Sequence, residues 1–206
     1  GEEDNPHYLI NPFGLHYREV TARNLEKIDR YGTQLGPEQH PVNPAGFVIH
    51  SAVHSARADA HCVIHLHTND GVAVSAQEKG LLPISQQSLF PLSNLAYHDY
   101  EGVALNPEEK IRLVEDLGDA HFMILRNHGL LAVGKTIAEA FSAMYYLEKS
   151  CRVQVDAMQS HSKLTIPDDT VCQHVYDQYQ RYSDYMQYDW DGLVRKLNRM
   201  KSNYKD

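Results

Sequence analysis

Cysteine, tryptophan and long apolar runs are scarce in this sequence of 206 residues. It contains one tryptophan and three widely spaced cysteines, Cys62, Cys151 and Cys172. An odd number of separated cysteines does not suit a disulfide framework, so the sequence predicts reduced thiols and a cytoplasmic protein. No apolar run approaches the ~20 residues of a membrane-spanning helix, and the first residues lack the basic head and apolar region of a secretory signal. We therefore expect no membrane association.

Basic residues are outnumbered as well, with 19 Lys and Arg against 27 Asp and Glu and a net charge of −8 when histidine is neutral. A general nucleic-acid-binding domain carries a basic face, so nucleic acid is not an expected partner. The apolar fraction of 42% is typical of a folded domain and too high for a disordered chain. The length fits one domain, and such a chain buries roughly 70% of the surface of its unfolded form without disulfide crosslinks.

Histidine is the residue present in excess, at 13 positions. Imidazole titrates near neutral pH and is a common metal ligand. His65 and His67 end an apolar, β-rich run, and residues i and i+2 of a strand point to the same side. Two imidazoles on one face could share a divalent ion, although such pairs also occur by chance. His128 lies in a turn between two apolar runs, either as a third ligand of a catalytic site with an open position or as a hydrogen-bonded turn residue.

Two further histidine groups suggest roles around such a site. His50 and His54 are one turn apart in a predicted helix and could bind metal themselves. We interpret them as lining residues, because no glutamate stands beside them as in a metalloprotease helix. His98 precedes Asp99, so the pair offers a base and an orienting acid for proton transfer. The alternative bases are His50, Asp70 and Glu101.

Helix and strand patterns alternate along the chain, which indicates an α/β or α+β class. Strands are predicted in HYLINPFG, LEKID and AHCVIHLH, and on both sides of the turn at 127–129. Helices are predicted at residues 47–57, in GVAVSAQEKG, after the start signal at 106–109, and at 137–158 behind the capping residue Thr136. Gly118 is expected to end the third of these helices.

Tyrosine recurs every third residue near the end of the chain. The residues are Tyr176, Tyr179, Tyr182, Tyr185 and Tyr188. Three-residue spacing drifts slowly round a helix, so we expect one spiralling aromatic stripe over residues 168–189. Packing within the chain is the first interpretation. A subunit contact or an active-site edge is the second, because tyrosine is enriched at interfaces.

Taken together, these motifs resemble the class II aldolase/adducin family, most closely the adducin head domain and its bacterial relatives. The matching stretches are HYLINPFGLHYREVTARNLEKID, AGFVIHSAVHSARADAHCVIHLHT, GLLPISQQSL, AYHDYEG and ILRNHGLLAVGKTIAEAF. The resemblance implies a three-layer α/β/α sandwich with a mainly antiparallel central sheet. It also implies a domain over residues 1–160 whose N-terminal portion is missing. A helical, tyrosine-rich extension over 161–206 would pack on this domain or on a neighbouring subunit.

The resemblance also implies a metal site and an assembly. One divalent ion, zinc foremost, would be bound by His65, His67 and His128, and three imidazoles also accept Mn²⁺, Fe²⁺ or Ni²⁺. Enzymes of the family are commonly homotetramers with active sites between subunits, where a C-terminal tyrosine can take part. The residues predicted to line the substrate site are His50, His54, Asn127 and Gly14.

Several positions depart from the family's sugar-phosphate aldolases. Their catalytic acid falls at Gly46 by helix alignment, and the tyrosine that protonates the leaving aldehyde falls near Gln86 or Gln87. Of the small polar residues that hold the substrate phosphate, only Gly14 is kept. The replaced positions are Phe13, Pro44 and Ala45. The metal ligands are thus retained, while the phosphate-binding residues and the known acid are not.

The resulting hypothesis is a divalent-metal-dependent aldolase, lyase or epimerase. It would act on a small, unphosphorylated hydroxy-carbonyl compound through a metal-stabilised enediolate, with His98 and Asp99 as candidate catalytic residues. The alternative is a non-catalytic adducin-like domain for oligomerisation or partner binding, with a structural metal or none. Glycine at position 46 favours the alternative, while the three retained histidines and the lack of an adducin-type basic tail favour the enzyme.

Overall fold

Helices cover both faces of a four-stranded sheet. The computed structural model describes residues 6–37, 40–103, 108–179 and 183–206. The strands are β1 (His7–Ile10), β2 (Glu26–Asp29), β3 (Cys62–Leu66), β4 (Leu95–His98), β5 (Phe122–Leu125) and β6 (Gly129–Gly134). The helices are α1 (Pro44–Ala56), α2 (Asn69–Ser75), α3 (Gln86–Leu92), α4 (Glu109–Leu117), α5 (Ile137–Gln159), α6 (Asp169–Tyr179) and α7 (Ser183–Arg199).

The central sheet has the strand order β3-β6-β5-β4. The β3–β6 and β6–β5 pairs are antiparallel, and the β5–β4 pair is parallel. Strands β1 and β2 form a separate antiparallel pair. The mainly antiparallel central sheet agrees with the α/β fold class expected from the sequence.

The two faces of the sheet bury different side chains, because successive residues of a strand alternate between faces. In β5, Met123 and Leu125 pack in a core cluster with residues of α1 and α4. Phe122 and Ile124 pack in a second cluster with residues of α2, α3 and α5. All four residues are almost fully buried, which explains why this strand is apolar throughout its length. The arrangement is a three-layer α/β/α sandwich.

Capping residues explain most of the observed helix boundaries. The Asn43 side chain accepts a hydrogen bond from the Ala45 amide at 3.1 Å, so α1 begins at Pro44, earlier than the predicted residue 47. Thr68 caps α2, which consequently lies earlier in the chain than the predicted GVAVSAQEKG helix. Thr136 caps α5 as predicted. The predicted start signal of α4 includes Asn106 and Pro107, which lie outside the described residues, and Gly118 ends that helix as expected.

The structure describes two helices in the tyrosine-rich tail, α6 and α7, on either side of residues 180–182. Tyr179 of α6 donates a hydrogen bond from its hydroxyl to the carbonyl of Gln86 at 3.1 Å. Trp190 of α7 meets Phe141 of α5 with ring centroids 5.5 Å apart. Tyr182 lies outside the described residues. The division of the chain near residue 160 stays a prediction. None of the described helices combines the length and apolar composition needed to cross a bilayer.

Candidate metal centre

Three imidazoles meet at one end of the central sheet. His65 is the fourth residue of β3, His67 follows the strand on the same face, and His128 occupies the turn between β5 and β6. Their ring centroids are 4.7 to 4.8 Å apart in every pair. One ligand nitrogen from each residue lies within 4.8 Å of the other two, and the Nε2 atoms of His65 and His67 are 2.8 Å apart. The structure thus brings together the three residues predicted as ligands.

Backbone conformation places His128 in this triangle. The preceding residue, Asn127, has a φ of 54°, a left-handed conformation that asparagine tolerates better than most residues. The following residue, Gly129, passes so close to β3 that an added Cβ would lie 2.5 Å from the Leu66 carbonyl oxygen and 3.0 Å from His67 Cδ2. Only glycine fits there without displacing the strand. The Asn-His-Gly sequence therefore serves both the turn and the approach of His128 to His67.

Hydrogen bonding and burial favour neutral imidazoles with a free lone pair. His65 Nδ1 lies 2.9 Å from the Leu130 carbonyl oxygen and donates to it, so the lone pair is on Nε2, facing the other imidazoles. Burial is the main cause that lowers the pKa of His65 to about 3, with His128, His67 and His50 adding to the effect. Burial, followed by His67 and His98, lowers the pKa of His128 to about 4.

This donor set fits a divalent transition-metal ion. Zinc and its neighbours accept neutral imidazole nitrogen, and three such ligands leave a position for substrate. A carbonyl that fixes the second nitrogen of a ligand histidine is a common feature of metal sites. The three residues could therefore hold the ion, with the Leu130 carbonyl orienting His65.

His65 and His67 line a cavity of about 810 Å³. Its wall includes the segment after β1, where Phe13 and Gly14 lie, together with Gly46 and His50 of α1. The lining side chains are imidazoles, amides, hydroxyls and apolar groups. Such groups suit the neutral hydroxyl and carbonyl oxygens of a small polar compound. Gly14 and His50, two of the residues predicted to line a substrate site, thus line the same cavity as His65 and His67.

His50 and His54 have different surroundings, although they are one helical turn apart. Burial lowers the pKa of His50 to about 4, with a smaller effect of His54, so His50 is neutral where it lines the cavity. His54 Nδ1 lies 2.6 Å from the Ala60 carbonyl oxygen, and its ring stacks on Tyr8 with centroids 4.9 Å apart. His54 does not line the cavity, in contrast to its predicted role.

His98 and Asp99 are adjacent in the sequence but have different surroundings. His98 is buried, and its Nδ1 is 2.7 Å from a carboxylate oxygen of Asp116 on α4. Its Nε2 has no hydrogen-bond partner among the described residues, and a carboxylate oxygen of Glu109 lies 3.8 Å from it. Asp99 borders an open groove that also includes Arg126 and Asn127. The acid that orients His98 is Asp116, whereas the sequence pointed to Asp99.

Sequence reasoning missed Asp116 and Glu109. Both are on α4, more than ten residues from His98, and only the packing of α4 on β4 brings them to the imidazole. Glu109 is only 5% exposed, which is unusual for a charged residue. The sequence does not show that this helix residue is buried. Sequence reasoning also missed that Thr68 connects α2 to α5. Its hydroxyl accepts a hydrogen bond from the Gly71 amide at 3.2 Å and donates one to Glu148 of α5.

Comparison with known proteins places this geometry in a family. The sequence profile of the Class II Aldolase and Adducin N-terminal domain matches residues 2–155. A Pseudomonas aeruginosa protein, described only provisionally as a class 2 aldolase, is 48% identical over 210 residues, which cover 100% of this chain and 80% of the relative. Alpha-adducin of Mus musculus is 47% identical over 165 residues, which cover 76% of this chain but 22% of the adducin.

Solved structures agree with these sequence relatives. An aldolase II superfamily protein from Pseudomonas syringae superposes with a TM-score of 0.90 at 46% identity, covering 97% of this chain and 81% of that one. L-fuculose 1-phosphate aldolase from Glaciozyma antarctica has a TM-score of 0.77 at 29% identity, covering 97% and 78%. The predicted fold and the resemblance are both confirmed. This chain belongs to the class II aldolase and adducin N-terminal domain family.

Proposed function

We propose that this chain is a divalent-metal-dependent lyase of the aldolase type, or an epimerase, acting on a small, unphosphorylated hydroxy-carbonyl compound. The observation that carries the proposal is the triangle of His65, His67 and His128, with the lone pair of His65 Nε2 directed inward by the Leu130 carbonyl. A site built only for packing would not need three imidazoles at one point. A cytoplasmic location and a homotetrameric assembly are further parts of the proposal.

The three histidines would hold one ion, with Zn²⁺ foremost and Mn²⁺, Fe²⁺ or Ni²⁺ as alternatives. When bound, the ion would supply Lewis-acid polarisation of a carbonyl or hydroxyl oxygen. His50 and Gly14 would shape the cavity around the substrate. Because its imidazole is neutral, His50 can donate one hydrogen bond and accept another.

His98, the base suggested by the sequence, is buried with its Nε2 3.8 Å from Glu109 and lines neither the cavity nor the groove, so it is not in a position to exchange a proton with a substrate there. Asp116 accepts the hydrogen of Nδ1, which leaves the lone pair on Nε2 and fixes the ring. Asp99 and Asn127, in the adjoining groove, would contact substrate from the other side of the turn that carries His128. The structure does not bring Asp99 into the orienting role that the sequence suggested for it.

Metal analysis with ligand variants tests the proposal. Protein purified without chelator or nickel resin should contain about one divalent ion per chain by elemental analysis, and His65→Ala and His128→Ala should each lower the metal affinity by about tenfold or more. His174→Ala, which removes an exposed imidazole of α6, is the matched control and should keep the ion. Full-strength metal binding in either ligand variant would show that the assignment is wrong.

A non-catalytic, adducin-like domain is the second candidate function. The identity of 47% to alpha-adducin over 165 residues favours it, since that similarity is about as high as the similarity to the provisionally described bacterial aldolase. A panel of hydroxy-ketones and aldol donors separates the two candidates. Turnover that disappears in His65→Ala supports the lyase, while a metal-loaded protein that is inert across the panel supports the binding domain.

A further inference from the structure

The cavity beside the candidate metal ligands has one apolar side. This side is formed by the segment that follows β1, whose apolar lining residues are Ile10, Pro12, Phe13, Leu15 and Tyr17. Phe13 and Tyr17 are 51% and 71% exposed, although phenylalanine is among the residues most often buried. An exposed apolar patch at the edge of a cavity is typical of a surface that a ligand covers.

Backbone hydrogen bonds hold this segment in place. The Phe13 amide donates to the Pro41 carbonyl at 2.9 Å, which ties the segment to the chain before α1. The Glu19 carboxylate accepts from the His16 amide at 2.8 Å and caps a short 3-10 helix at Tyr17–Glu19. The position of Phe13 is therefore set by its backbone, and the segment stays in place when the side chain is replaced.

Polar atoms around the cavity are partly used within the protein. The Thr68 hydroxyl accepts from the Gly71 amide and donates to Glu148. Asn43 Oδ1 accepts from the Ala45 amide. Among the described residues that line the cavity there is no Lys, Arg, Asp or Glu. A phosphate or a second carboxylate on the substrate would thus lack the cationic side chain that pairs with such groups.

The size of the cavity leaves room beyond a metal-chelating group. Its volume of about 810 Å³ is within the range of roughly 300–1,000 Å³ that is typical of pockets for drug-sized ligands. The lining extends from His65 and His67 to Phe13. A compound whose oxygens face the two histidines therefore has space for a ring-sized group beside Phe13.

We propose that the cavity selects hydroxy-carbonyl compounds with an apolar, ring-sized substituent, which packs on Phe13 while the hydroxyl and carbonyl oxygens face the histidines. This inference rests on the proposed function for the position of the oxygens and adds the identity of the substituent. An aryl group removes its own apolar surface and that of Phe13 from water, and two aromatic rings attract each other in offset or edge-to-face arrangements. Phe13 is thus a specificity-determining residue.

A matched pair of hydroxy-ketones tests this selection. Hydroxyacetone and 2-hydroxyacetophenone share the chelating oxygens and differ in a methyl or a phenyl group. Isothermal titration calorimetry with the zinc-loaded protein should give about tenfold tighter binding of the phenyl compound. Phe13→Ser should lower that preference to less than about threefold, and Phe13→Leu, which keeps an apolar surface, should retain most of it. Tyr31→Ser removes an exposed ring away from the cavity lining and is the matched control.

Polar and phosphorylated probes complete the test. Equal affinity for the methyl and phenyl compounds, tighter binding of dihydroxyacetone or its phosphate, binding of none of the probes, or a phenyl preference that survives in Phe13→Ser would each overturn the inference. Titrations after chelation separate it from the proposed function. The phenyl preference and its dependence on Phe13 should persist without metal, while overall affinity falls. Unchanged affinity after chelation would contradict the metal site and leave the apolar subsite supported.

Discussion

Gly129 lies where the turn between β5 and β6 comes closest to β3. The Leu66 carbonyl oxygen and His67 Cδ2 occupy the space that a Cβ would need. We expect Gly129→Ala to lower the free energy of unfolding by about 2 kcal/mol, as overpacking of a close contact does. The same shift moves His128 away from His67, so metal affinity should fall by about tenfold. Chemical denaturation and metal titration measure the two effects.

Gly46→Ala is the matched control for this substitution. Its Cβ would meet only the Asn43 side chain at 3.6 Å or more, which is ordinary contact, and alanine is a better helix former. The free energy of unfolding should stay the same or rise slightly. Equal losses in both variants would mean that glycine content, and not the approach of the turn to β3, governs the result.

Single residues differ in how far their roles could be predicted from sequence. The strand period alone puts His65 and His67 on one face. The turn left His128 open between a third ligand and a hydrogen-bonded turn residue, and the family resemblance made it a ligand. Asp116 could not be found in this way, because its contact with His98 depends on how α4 packs on β4. Periodicity describes one element at a time, whereas partners on different elements follow from packing.

At the scale of secondary-structure elements, Thr68 joins α2 to α5. Its hydroxyl caps α2 by accepting from the Gly71 amide and donates to Glu148. Thr68→Val removes both bonds and leaves a half-buried carboxylate without this donor, so we expect a loss of about 2 kcal/mol in the free energy of unfolding. Thr68→Ser keeps the hydroxyl and should lose less than about 0.5 kcal/mol. A valine variant as stable as the serine variant would contradict this assignment.

The start of a helix could be predicted where the sequence shows a capping residue directly before it. Thr136 gave the start of α5 correctly, and Asn43 explains the early start of α1. The tail was harder to predict, because a tyrosine every third residue fits one helix as well as two. Its contacts, of α6 with α3 and of α7 with α5, follow from packing, which periodicity does not describe.

For the whole molecule, the buried imidazoles predict acid sensitivity of the metal-free chain. The pKa of His50 is lowered from 6.5 to about 4, so the unfolded chain binds more protons between these pH values. The free energy of unfolding therefore decreases as the pH falls from 6.5 towards 4. One pKa unit corresponds to about 1.4 kcal/mol of unfolding free energy. Because the side chain of His50 is partly exposed, its contribution to this pH dependence is reduced to roughly 1–2 kcal/mol.

His50→Gln removes that share because an amide does not titrate in this range. The difference in unfolding free energy between about pH 7 and about pH 5, measured by denaturant titration after chelation, should be smaller in this variant than in the wild type. His174→Gln changes an exposed imidazole and should keep the wild-type difference. An unchanged pH dependence in His50→Gln would show that other groups cause the acid sensitivity.

The position of β3 at the edge of the sheet has a consequence for synthesis of the chain. Among the described strands it pairs with β6 in this sheet, and Leu66 is opposite Leu130, far along the sequence, whereas β5 and β6 are joined by a short turn. Local pairs form before distant ones because loop closure costs entropy. A nascent chain from which His128 has not yet emerged can therefore present only two of the three imidazoles. Assembly of the triangle coincides with the docking of β3, the pairing that completes the sheet.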